Sequence, residues 1–119
     1  MGWIGVDLDG TLADMSKPPA LGNIGPPVPK MLARVKNWLK NGKDVRIMTA
    51  RVAQGPEQVP MIQDWLLKYV GQTLMVTCAK DYNMEALWDD LAVQVVTNKG
   101  ERADGSEWFT PEGWYDTLQ

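Results

Sequence analysis

Residues 2–8, "GWIGVDL", are apolar on both faces, the pattern of a central strand in a parallel sheet. Val28, Met31, Leu32, Val35, Trp38 and Leu39 then recur at helical spacing, with Pro29 suited to a first turn and Gly42 to the position just past a helix end. This spacing predicts a helix over residues 28–41. "DVRIMTAR" follows, with Val45 and Ile47 in a short strand. Pro56 and Pro60 open a second helix, whose apolar stripe is Ile62, Trp65, Leu66 and Tyr69 and which Gly71 closes. "TLMVTCAK" reads as a third strand, "ALWDD" as a short fourth, and "VQVVT" offers a fifth. Residues 13–27 hold four prolines and two glycines and read as loop. From Asn98 on, glycines and a proline stand among Trp108, Phe109, Trp114 and Tyr115, which predicts an irregular tail over 98–119 that packs by its aromatics. The order strand, helix, strand, helix, strand, strand implies one α/β domain over 1–119, with a mostly parallel central sheet and helices on its faces in a Rossmann-like three-layer sandwich.

Composition narrows the chemistry. The chain has 119 residues, 45% of them apolar, enough for a single core. Its net charge of -3 gives no electrostatic footprint for nucleic acid or an anionic membrane, so nucleic acid is a disfavoured partner. No apolar run approaches the roughly 18 residues of a membrane helix. The single cysteine, Cys78, cannot form an internal disulfide, and no leader pattern is visible, so a cytoplasmic location is expected. Histidine is absent, which removes the usual general base and zinc ligand. Chemistry must therefore run on carboxylates, lysine, hydroxyls or a hard metal.

In open parallel sheets, ligands bind beyond the carboxyl ends of the strands. The first strand end supplies Asp7 and Asp9, the second Thr49, Ala50 and Arg51, the third Lys80, and the fourth Asp89 and Asp90. Two carboxylates two residues apart resist joint ionisation unless a cation stands between them. Oxygen ligands of this kind suit Mg²⁺ better than zinc or copper. The converging set reads as a site for a hard divalent cation and a phosphoryl group.

"DLDGTL", "MTAR", "AK" and "WDD" in this order resemble the haloacid dehalogenase superfamily, in particular its small capless phosphatases, where one stretch carries both the lysine and the acidic pair. The resemblance covers about residues 2–96, with the 13–27 loop in place of a cap. Asp81 departs from a proline common after that lysine, and Leu91 from an arginine common after the acidic pair, a change that bears on the substrate rim. The resemblance implies a Mg²⁺-dependent phosphomonoesterase acting on a small phosphorylated substrate. Asp7 would be the nucleophile that forms an aspartyl phosphate, and Asp9 the general acid and base. Gly10 would permit the turn that folds Asp9 over the site. Thr49, the amides beside it at Ala50, and Lys80 would hold phosphate oxygens. Asp7, the Asp9 backbone carbonyl and Asp90 would ligate the metal, with Asp89 a ligand or close by. Arg51 is near the site by position, with surface and substrate-binding roles both open. Asp14 and Asp81 read as solvated loop acids. Polynucleotide-end phosphatase, a non-catalytic binding module and a homo-oligomer are the alternatives kept open.

Overall fold

The computed structural model describes residues 2–16 and 20–105. Four strands, β1 (Trp3–Val6), β2 (Asp44–Met48), β3 (Val76–Thr77) and β4 (Met84–Trp88), form one sheet in the order β3-β2-β1-β4. Each neighbouring pair is parallel, with Ile4 beside Val45 and Val6 beside Ile47. Helix α1 (Pro29–Lys40) joins β1 to β2, and α2 (Gln58–Tyr69) joins β2 to β3 after a short 3-10 turn over Ala50–Gln54. Among the described residues, no helix is long and apolar enough to cross a membrane.

The period-two pattern explains the core. Ile4, Val6, Val45 and Ile47 share one sheet face and form a single buried cluster with Met31 and Val35 of α1 and Ile62, Trp65 and Leu66 of α2. Both helices therefore serve the same face. The three-layer expectation is corrected here: among the described residues, the helices make one layer. On the other face, the Arg46 guanidinium lies 4.7 Å from the Trp3 ring centroid, and the Trp3 indole donates to Asp81 at 2.7 Å. Trp3 is thus fully buried without a helix above it. Six residues, 78–83, carry the chain from the outer strand β3 to β4 on the opposite edge of the sheet. So short a link leaves no room for a crossover helix.

Both predicted helices form within two residues of their expected ends, and Gly42 and Gly71 follow them at φ +77° and +97°, a region open to glycine. The third strand is shorter than predicted. Leu74 turns into the core, its backbone N–H and carbonyl both bonded by the Gln63 side chain, so pairing starts only at Val76. The predicted fifth strand does not join the sheet. Residues 94–103 turn back on themselves, with Val96 N–H donating to Glu101 and Ala103 N–H to Gln94, around Asn98 and Gly100 at positive φ. The tail aromatics Trp108, Phe109, Trp114 and Tyr115 lie outside the described residues.

Candidate active site at the strand ends

Asp7 follows β1 directly, and its N–H donates to the Trp88 carbonyl at the end of β4. This bond brings the ends of the two strands together and sets Asp7 beside Asp89 and Asp90. One carboxylate oxygen from each of the three lies within 4.8 Å of the others. Leu8 and Leu12, fully buried, anchor the turn between them, each contributing about 1.5–3 kcal/mol by leaving water. The Leu8 carbonyl accepts from the N–H groups of Thr11, Leu12 and Ala13.

Within that turn, Gly10 has φ +90°, and a Cβ there would stand 2.5 Å from Asp90 Oδ2. Conformation and space both demand glycine. The neighbouring Thr11 hydroxyl donates to Asp90 Oδ1 at 3.3 Å. Gly10 and Thr11 thus place Asp90, from a segment almost 80 residues away, as much as they shape the Asp9 turn. Asp89 is fixed differently, its Oδ1 accepting the Leu91 N–H at 2.7 Å.

The Asp7 carboxyl is pushed up to about 7, first by burial, then by the negative charge of Asp89 and by the bond to and charge of Asp90. A backbone bond at Leu8 works in the opposite sense and is outweighed. Crowded acids of this kind hold a proton when no cation is bound, and a cation reverses the preference. Three hard oxygen donors from two adjacent strand ends fit a divalent ion such as Mg²⁺.

Asp9 lies outside that trio. Its carboxylate is gripped by Arg51, with Nε to Oδ2 at 2.7 Å and Nη2 to Oδ1 at 2.9 Å. Arg51 is 5% exposed. Its remaining donors reach the carbonyls of Ala20, Leu21 and Asn23 and the Gln58 side chain. Of the two roles left open for Arg51, a surface one is excluded by this burial, and a fully engaged guanidinium has no donor left for substrate. It ties the 20–23 loop to Asp9 instead. Gln58 completes the tie by donating to the Leu21 carbonyl at 2.9 Å. Gln58 escaped notice in the sequence, although a polar residue in phase with the α2 stripe of Ile62, Trp65 and Leu66 was the available signal.

Thr49 is buried and accepts the Arg51 N–H at 3.1 Å, capping the 3-10 turn. With Ala50 it lines a cavity of about 500 Å³ that also takes in Asp7, Asp9, Asp89 and Asp90. The walls are Met15, Leu21, Met48, Arg51, Gln54, Cys78 and Leu91. Lys80 is not among them. It lines a separate concavity with Asp81, Tyr82 and Met84, because the 78–83 link heads toward Trp3 at the far end of β1. Asp81 is solvated, as expected, and besides the Trp3 indole it accepts the Asn83 N–H at 2.8 Å. Asp14 accepts the Ser16 N–H at 2.7 Å, which holds it below the usual carboxylate range. Comparison with family models, with curated proteins and with solved structures finds no match to this chain.

Proposed function

We propose that this chain is a metal-dependent phosphomonoesterase of the haloacid dehalogenase type, with Asp7 as its nucleophile. The observation that carries the reading is the grouping of Asp7 with Asp89 and Asp90 at adjacent strand ends, with Gly10 and Thr11 shaped around Asp90. Asp7, Asp89 and Asp90 would hold Mg²⁺, whose charge would offset the repulsion between a carboxylate and a phosphate dianion.

In the first step, an Asp7 oxygen forms a bond to phosphorus while the ester P–O bond breaks, and a proton from Asp9 goes to the departing alkoxide oxygen. In the second, Asp9 takes a proton from water, the water oxygen bonds to phosphorus, and the P–O bond to Asp7 breaks, releasing inorganic phosphate. Asp9 enters this cycle only by loosening one of its two bonds to Arg51, so Arg51 sets when that carboxyl is free to carry a proton. The Thr49 hydroxyl accepts from Arg51 and keeps its own proton to donate to a phosphate oxygen.

Asp7→Asn should abolish phosphate release from an aryl phosphate while circular dichroism stays unchanged. EDTA should do so reversibly, with Mg²⁺ restoring the rate better than Ca²⁺. Full activity in the variant would overturn the mechanism.

The engagement of both Asp9 oxygens by Arg51, and the position of Lys80 outside the cavity, favour a second reading. In it the domain binds a divalent ion and a phosphorylated ligand without turnover. Mg²⁺ binding by calorimetry with no phosphate release, and no Mg²⁺–fluoroberyllate adduct at Asp7, would select that reading.

A further inference from the structure

We propose that the substrate is a monophosphate ester whose remaining part is uncharged and apolar, an alkyl or aryl monophosphate, rather than a bisphosphate, a nucleotide or a polynucleotide end. This rests on the phosphatase reading above and adds the class of leaving group. Two independent features of the cavity carry it.

The first is the chemistry of the rim. Beside the four aspartates, Thr49, Ala50, Arg51 and Gln54, the cavity is lined by Met15, Leu21, Met48, Cys78 and Leu91. Met15, Leu21 and Leu91 keep 40%, 51% and 84% of their surface exposed, so their apolar surface is available to a ligand. They come from two separate segments, the 13–27 loop and the residues just after Asp90. Apolar side chains beside a few polar groups are the usual build of a small-molecule site, and about 500 Å³ accommodates a phosphoryl group with a chain of about six carbons.

The second is charge. Among the described residues lining the cavity, Arg51 is the only cation, and its donors are all engaged by Asp9, Gln58 and loop carbonyls. Four aspartates line the same cavity. One divalent ion compensates one phosphoryl group, and among the described lining residues no free cation is left for a second anionic group on the same ligand. A carboxylate or further phosphate in the leaving group would meet apolar side chains and uncompensated acids, and so would lose its hydration without a partner.

The test compares ethyl phosphate, hexyl phosphate and the hexyl ester carrying a terminal carboxylate, with the intact chain in Mg²⁺ and phosphate release as readout. The three alkanol leaving groups are of similar intrinsic reactivity, so differences report binding of the remainder. Hexyl phosphate should exceed ethyl phosphate in kcat/KM by at least about tenfold, as expected for burying several methylenes. The terminal carboxylate should cancel that gain. Leu91→Lys should shift the ratio of the hexyl to the carboxylate-bearing ester by at least about tenfold toward the acid. Rates for the three esters within twofold of one another would overturn the inference and leave the phosphatase reading in place. Release from none of them would overturn both.

Discussion

The two ends of the sheet use the same residue types to opposite effect. At the N-terminal end, Asp81 accepts from the Trp3 indole and the Asn83 amide, and it faces Arg46 at 3.9 Å. Its pKa is lowered, chiefly by the Trp3 bond. At the C-terminal end, Asp7 is half-buried beside two further carboxylates, and its pKa rises to about 7. Near Trp3, Asp44 and Asp81 both pair with Arg46, whereas carboxylate oxygens of Asp7, Asp89 and Asp90 lie within 4.8 Å of one another. The first arrangement closes a structure. The second crowds negative charge that a bound proton or a cation would relieve, and strongly raised carboxyl pKa values are a reason to look for function there.

The contrast can be broken most forcefully at Arg51, the residue that keeps the open end from being open everywhere. Arg51→Ala would leave Asp9, Gln58 and three loop carbonyls without their shared donor. Breaking a buried ion pair from one side costs about 3–5 kcal/mol, and a loss of this size should appear in urea unfolding. Arg51→Lys should recover only part of it, because an ammonium cannot reproduce the fork on Asp9. A neutral result for Arg51→Ala would refute the tie between Asp9 and the 20–23 loop.

Gly10→Ala comes next. Strain at positive φ together with the clash at Asp90 Oδ2 should cost about 1–3 kcal/mol. It should also weaken Mg²⁺ binding by calorimetry, because Asp90 has to move aside. Unchanged Mg²⁺ affinity would show that Asp90 is not a ligand.

Asp7→Asn sharpens the comparison through its pH dependence. A folded-state pKa of about 7 against 3.8 means that the native state holds the proton more tightly than the unfolded chain. Stability of the metal-free protein should therefore fall as pH rises from about 4 to about 7, and level off above that. Asp7→Asn removes the penalty, so near pH 8 the variant should be more stable by about 1–2 kcal/mol, a figure reduced for the partial exposure of the site. At pH 4 the two should coincide. Mg²⁺ should raise the Tm of the parent chain and not that of the variant. A parent stability that is flat across this window would contradict the crowding of the three acids.

The smallest effect belongs to the closed end, and its sign is opposite. The lowered pKa of Asp81 means that its contribution is present above the ordinary carboxylate pKa and disappears as pH falls through the folded value. Asp81→Asn should lower Tm slightly at pH 7, less than any change above, and the difference should shrink at high salt, since the group is exposed. A Tm rise in that variant, as expected for Asp7→Asn, would erase the distinction between the two ends.

Local pattern settled much of this molecule before any tertiary contact was considered. The apolar runs at 2–8 and 45–47 and the stripe at 28–39 each carry their own period, and the two helices lie within two residues of where Pro29, Gly42 and Gly71 put them. Because parallel strands deliver their C-terminal ends to one edge, the order of the strands was enough to bring Asp7, Asp89 and Asp90 together. Other features depended on the path of the chain in space. Lys80 sits two residues past a cavity residue, yet the 78–83 link runs back along the sheet and takes it away, and no local periodicity encodes the direction of a loop. Val93–Thr97 has strand composition, but its partner is the segment 101–103, because turn residues at 98 and 100 fold it back before it reaches the sheet. The role of Arg51 was decided last, by tertiary structure alone. A buried guanidinium needs acceptors on every side, and those acceptors come from Asp9, the 20–23 loop and Gln58, three stretches that only the folded chain assembles.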